Sequence, residues 1–170
     1  ELPSGSNMFM NEVTQITETQ ALSAGYDANH IINDASEFVS KISADLSGDF
    51  ILTSDIDMSA LGTLTDSAIT GTFTGELDGN RHVVENLTIT KGGGVGVAGL
   101  FSRTNGATIE NLGVKGANIT SGSLGSTGVI VGLAQSTTTT NCFSSGTVGG
   151  TNEVAGLIGC NFIGSTITDS

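Results

Sequence analysis

The chain has no Trp, one Tyr, one Pro and two Cys in 170 residues. Five Lys and Arg face seventeen Asp and Glu, a net charge of -12. So few cations cannot neutralise a phosphate backbone, which excludes nucleic acid and anionic membrane surfaces as partners. No apolar run approaches the ~18 residues that a membrane helix needs, so membrane insertion is excluded too. Two cysteines are too few for a disulfide framework, and Cys142 and Cys160 lack metal-ligand spacing. Two readings of the pair stay open, a disulfide or two small buried residues. Aromatics make up 5% of the chain, so small and β-branched side chains must fill the interior. Gly is abundant, at 25, and Pro almost missing. That combination argues for many tight turns in a regular fold, not for a disordered linker. The chain begins at Glu1, which predicts that an upstream segment was removed.

What is present is a repeat. Val97 to Leu112 reads VAGLFSRTNGATIENL, and VGLAQSTTTTNC and AGLIGCNFIGSTITDS vary it at Val131 to Cys142 and Ala155 to Ser170. Glu85-Asn86-Leu87 matches Glu110-Asn111-Leu112. The spacings are 25 residues from Asn86 to Asn111, 30 on to Asn141 and 28 on to Asp169. Long amphipathic helices are missing, so the repeat is not a helical one. Gly turns between short Val, Ile and Thr runs suit one coil of a β-solenoid. Coils stack at about 4.8 Å, which places equivalent residues above one another. This register puts Leu100, Leu133 and Leu157 in one inward ladder, each after a Gly (Gly99, Gly132 and Gly156). Asn111, Asn141 and Asp169 form a second ladder at a bend, where Asn tolerates left-handed backbone.

Upstream, Asp34-Ala35-Ser36-Glu37 has the form of a capping box. Phe38, Val39, Ile42 and Leu46 follow a helical stripe, predicting a helix at about 35 to 44 that Gly48 ends. Such a helix would cover the open edge of the first coil, as solenoid caps must. Asp49 to Met58 and His82 to Thr90 alternate as strands, with a polar excursion at Ala60 to Thr72 and a turn at Asp78-Gly79. Gly92-Gly93-Gly94 reads as a flexible turn. Residues 1–30 read as an extension or linker, in which Phe9, Val13 and Ile16 suit a helix and Val13 to Thr17 suit a strand.

Ala98-Gly99-Leu100-Phe101, Val131-Gly132-Leu133 and Ala155-Gly156-Leu157-Ile158-Gly159, with their Asn-like closures, resemble the GLUG repeat. Phe50 to Met58 and Phe73 to Asn80 resemble the lead-in that precedes such repeats. The resemblance covers residues 31–170, read as a GLUG-like β-helix domain with its carboxy-terminal end cut short. It implies an all-β, right-handed parallel β-helix of a secreted or cell-surface, extracellular protein. Such repeats are found in bacterial and archaeal surface proteins and in the amino-terminal region of immunoglobulin-A-cleaving metalloproteases. The family brings no catalytic residues. The departure at Ala134-Gln135-Ser136 predicts a looser coil or an outward bulge there.

Candidate chemistry is sparse. Asp55 and Asp57 are the candidate metal ligands, weighed against turn and surface acids because the Asp-x-Asp-x-Asp-Gly loop is absent. Asp66 and Asp78 extend that acidic set. Asp78 near Arg81 and His82 is a candidate acid-base group of a carbohydrate-active β-helix. His30 and His82 read as structural. The run Thr137 to Thr140 alternates in and out, and no matching Thr column is visible elsewhere, which argues against an ice-ordering face. Asn86-Leu87-Thr88 and Asn118-Ile119-Thr120 are glycosylation sequons. No cofactor is expected. The function expected is a non-enzymatic stalk, adhesive face or filament subunit, with a host protein or glycan as candidate ligand. The alternative is an accessory domain of a secreted metalloprotease. The carboxy-terminal edge is expected to take further coils of its own chain or a neighbouring subunit.

Overall fold

The structure is a computed structural model and describes residues 15–94 and 96–170. Phe9 and Val13 therefore lie outside the described residues. The remainder winds into a parallel β-solenoid of about four turns with two short α-helices near its start.

The first sheet stacks Ile31–Ile32, Asp49–Leu52, Glu76–Asp78, Thr108–Glu110, Thr138–Thr140 and Thr166–Thr168. Its pairing is regular throughout, and it gives the true coil lengths. Asp49, Glu76, Thr108, Thr138 and Thr166 are successive partners. The second sheet centres on the long strand Gly113–Ser123, which pairs with Val83–Glu85 through its first part and with Thr88–Gly94 through its second. The third sheet stacks Ile69–Phe73, Phe101–Asn105, Val131–Gln135 and Ile158–Asn161. A small sheet of Thr127–Gly128 and Val154–Ala155 joins the second to the third.

The interior is built from columns. Phe50, Leu77, Ile109, Thr139 and Ile167 are register partners along the first sheet, and the first four are buried. Ile69, Phe101, Val131 and Ile158 form a buried column in the third sheet. Aromatic rings gather in the early coils. Phe73 lies 5.0 Å from Phe101 and 6.3 Å from Phe50, centroid to centroid, and Phe38 of the capping helix lies 6.1 Å from Phe101.

Helix α1 spans Glu18–Ala24 and α2 spans Ala35–Ala44. In α2 the Asp34 carboxylate accepts from the Glu37 amide at 2.8 Å, and Glu37 accepts from the Asn33 amide at 2.9 Å. The first bond satisfies a first-turn amide that would otherwise be orphaned, and the second ties Glu37 back to the residue before the cap. Phe38 and Ile42 are fully buried in the main core. The helix links the first two strands of the first sheet and packs on Ile69–Phe73, the outermost strand of the third sheet. It thus closes the amino-terminal end of the barrel. Gly48 does not end the helix. Asp45 is the C-cap, and Gly48 follows where a Cβ would press within 3.0 Å of Phe50 and 3.1 Å of His30.

Four further expectations change. Gly92 to Gly94 complete a strand and do not form a turn. The excursion at Ala60 to Thr72 contains strand Thr63–Leu64 and most of Ile69–Phe73. The strand Val131–Gln135 pairs without a register shift on both sides, and Ala134 is buried, so no loosening occurs there; Ser136 simply turns with φ 48°. Finally, Leu133 is out of the Leu100 ladder. Phe101 pairs with Val131 and Val131 with Ile158, so Leu100 lies over Ile130 and Leu157. Leu133 instead pairs with exposed Arg103 and with Cys160, and is only half-buried. Gly132 in turn stands over Gly159, while Gly128 and Ala155 are partners. The segment Gly128 to Gly132 holds two glycines four residues apart, and backbone pairing selects the first as the start of the motif.

Candidate functional site

The polar groups cluster at the corners where each coil leaves one sheet for the next. After the first sheet, Asn111, Asn141 and Asp169 occupy equivalent places and share left-handed φ of 53°, 52° and 53°. Asn141 Nδ2 donates to Asn111 Oδ1 at 2.8 Å, and Asn111 Nδ2 donates to Asp78 Oδ1 at 3.0 Å. Asp78 therefore starts the ladder that Asn111 and Asn141 continue. Asn86 is not part of it. Glu85 pairs with Lys115, so Asn86 stands opposite Gly116 at a different corner, and both are left-handed. The 25-residue spacing is thus no coil length.

At the Asp78 corner the chain turns through Asn80 and Arg81, with φ 47° and 65°. Gly79 is needed for close approach, because a Cβ there would meet Asn111 O at 2.5 Å. Asn80 is buried and ties three segments together. Its carboxamide donates to Leu52 O at 2.9 Å and Ile16 O at 2.8 Å, and accepts from Ile16 N at 3.0 Å. No local pattern marks Asn80 as an anchor, because its partners come from 28 and 64 residues away.

These bonds hold the amino-terminal segment on the solenoid. Thr17 and Gln20 make a reciprocal capping box for α1, a Thr-x-x-Gln signal that could have placed this helix but that the reading of residues 1–30 as an extension missed. Ala21 packs with Ile31 and Ile51, and Ile16 and Tyr26 lie against them. So Ile51, which faces outward from the first sheet, is covered by this segment.

The candidate metal ligands are engaged separately. Asp55 Oδ1 faces His82 Nδ1 at 3.0 Å and accepts from Val83 N at 3.0 Å. Asp57 Oδ1 accepts from Ser59 N and from Asn86 Nδ2, each at 3.0 Å. The Asn86 bond, followed by the Ser59 bonds, holds the Asp57 carboxyl below its ordinary value. Asp66 pairs with Lys91 at 2.6 Å. Among the described residues no group of three His, Cys, Asp or Glu could hold a metal ion. Asp78 and His82 serve different bond sets, the Asn ladder and Asp55, so the candidate acid-base pair is not assembled.

On the outward side of the first sheet, Asp49 pairs with Glu76, and Asp78 with Glu110. Partial burial, then Asp78 and Glu76, push the Glu110 carboxyl up. Burial and these same acids raise the Tyr26 phenol. Further along, the surface changes character. Thr137 and Thr139 are buried, whereas Thr108, Thr138 and Thr166 form an outward column beside Thr140 and Thr168. A Thr column does recur between coils, contrary to expectation, but it runs into carboxylates at Glu76 and Glu110.

Both cysteines are free thiols. Burial pushes the Cys142 thiol up to about 12. Cys160 is also raised, by burial and then by Glu153. Cys142 lies in the turn between Thr138–Thr140 and Phe143–Gly149, Cys160 in strand Ile158–Asn161, and no disulfide joins them.

The fold and its corners define a capped parallel β-solenoid whose conspicuous polar residues are bonded into the scaffold. The chain belongs to the family described as the M26 IgA1-specific metallo-endopeptidase N-terminal region, whose profile matches residues 23–150. It is also similar to halomucin of Haloquadratum walsbyi (strain DSM 16790 / HBSQ001), 37% identical over 99 residues. That match covers 58% of this chain and 1% of halomucin. No solved structure matches significantly.

Proposed function

We propose that the chain is a non-enzymatic structural or adhesive module of a secreted or cell-surface protein. One observation carries this reading. The acids and amides that could have built a reactive site instead join coil to coil: Asp78 to Asn111, Asn111 to Asn141, Asp55 to Val83 and Asp57 to Asn86. The family match and the likeness to halomucin support an extracellular setting. The test removes residues 31–170 from the parent protein in its native cell. The expected result is lost surface reach or lost attachment, with any catalytic turnover of the parent unchanged. Peptide or polysaccharide cleavage by the purified chain, abolished by Asp78→Asn, would contradict the reading.

The family match favours a second reading, an accessory domain beside a metalloprotease domain. The same deletion separates the two. An accessory role predicts impaired cleavage of the large substrate with cleavage of a short peptide retained.

The carboxy-terminal coil is the surface proposed for assembly. Phe162 is 52% exposed and Ile163 91%, at an edge that recruits strands readily. Further coils of its own chain or a neighbouring subunit fit this edge. A neighbour's amino terminus that supplied a strand from Val13 to Thr17 would first have to release Ile16 from Asn80 and Thr17 from the cap of α1.

A further inference from the structure

The two sequons, Asn86-Leu87-Thr88 and Asn118-Ile119-Thr120, are not equivalent once folded. We propose that Asn118 is an N-glycan acceptor and that Asn86 is reserved for the scaffold. The proposal rests on the extracellular reading above.

In both sequons the middle residue, Leu87 or Ile119, is fully buried and the Asn before it is exposed. Asn118 sits on the second sheet within a column of short polar side chains. Thr63 pairs with Thr88, Thr88 with Asn118, and Asn118 with Thr147. Thr63, Asn118 and Thr147 are exposed. The next outward column holds Thr90, Thr120 and Gly149. No aromatic or long aliphatic side chain stands in either column, so a sugar on Asn118 projects from a flat face without displacing a packed group.

Asn86 differs in two ways. Its Nδ2 is the atom a glycan would take, and that atom donates to Asp57 at 3.0 Å. Its backbone is also held at φ 59° on a corner of the coil. A glycan there would compete with a coil-to-coil bond; on Asn118 it would compete with none of the ladders described above.

The transfer itself is balanced without redox chemistry. Asn118 Nδ2 attacks the anomeric carbon of an oligosaccharide carried on a lipid phosphate. A C–N bond forms, the C–O bond to phosphate breaks, and the amide proton passes to a base of the transferase. The lipid phosphate leaves. In the folded chain, residues 118–120 are paired on both sides, with 88–90 and with 147–149. Transfer therefore precedes closure of the third and fourth coils, and the fold must then accept the sugar. An outward strand position allows that.

The test is peptide mass spectrometry on the full chain secreted from a host with an oligosaccharyl transferase. The expected result is a glycan on the Asn118 peptide with little on the Asn86 peptide. Asn118→Gln abolishes the glycan mass, and Asn86→Gln leaves it in place. Should the chain fail to be exported, the unfolded chain is glycosylated by purified transferase with lipid-linked oligosaccharide and then refolded; the refolded fraction is expected to carry sugar at Asn118 and little at Asn86, because a glycan on Asn86 opposes the Asp57 bond. Unmodified Asn118, or equal occupancy at Asn86, would overturn the proposal.

Discussion

Asn111 does two jobs with one side chain. It bridges Asp78 to Asn141, and it holds a left-handed corner that most residues resist. Left-handed backbone costs a Cβ-bearing residue about 1–2 kcal/mol, and each lost hydrogen bond about 1 kcal/mol. Asn111→Ala is accordingly expected to destabilise the chain by about 2–3 kcal/mol in urea unfolding. Asn111→Gly relieves the backbone part and is expected to cost less. Equal losses in both variants would show that the corner conformation contributes nothing. Glu110, its neighbour, gives a pH-dependent effect. The folded chain raises its carboxyl through burial and through Asp78 and Glu76. The folded state therefore binds the Glu110 proton more readily than the unfolded state. Stability from this group is present at low pH and is lost as pH rises through the raised value. Glu110→Gln is expected to raise Tm at neutral pH, and the gain vanishes below the ordinary carboxylate range. A gain unchanged by acid would remove charge as its cause. The thiols offer a third check. Cys142, deeply buried and raised to about 12, is expected to resist alkylation in the native chain and to react only in denaturant.

Among the elements, α2 was the most legible. The Asp34 cap and the Phe38 and Ile42 stripe place a helix at Ala35–Ala44 directly, because capping and periodicity are local signals. Phe38→Ala is expected to cost about 3–5 kcal/mol and Asp34→Ala about 1 kcal/mol, read from the shift in denaturant midpoint. If Phe38→Ala left the midpoint unchanged, the helix would not be the lid of the core. Strand register was less legible. Gly132-Leu133 copies Gly99-Leu100 in letters, yet the coil repeats at Ile130 because coil lengths vary between neighbours. A motif match fixes register only where insertions are absent, and the changing coil length moved this one. Strand Ile69–Phe73 was missed for a related reason. Its Ile-Thr-Gly-Thr-Phe run includes a register shift against Phe101–Asn105, which blurs strict alternation.

At the scale of the described residues, the first and later coils differ in what they bury. A helix and the early aromatic cluster close the amino-terminal end, while apolar side chains emerge from the last coil. The general architecture was readable because Gly, β-branched residues and repeat spacing all point the same way. The polar ladders were readable only in part, since Asp78 and Asn80 act across coils that no local pattern links. Ile163→Lys is expected to reduce self-association of the isolated chain in light scattering without lowering its Tm, because that side chain is already 91% exposed. The coils stack with Leu100, Ile130 and Leu157 in a single inward ladder. The most direct measurement is a methyl NOE spectrum of the folded chain labelled at Leu and Ile. Contacts are expected from Leu100 to Ile130 and from Ile130 to Leu157, with Leu133 outside the ladder. Leu100 to Leu133 contacts, with Ile130 absent from the ladder, would contradict it.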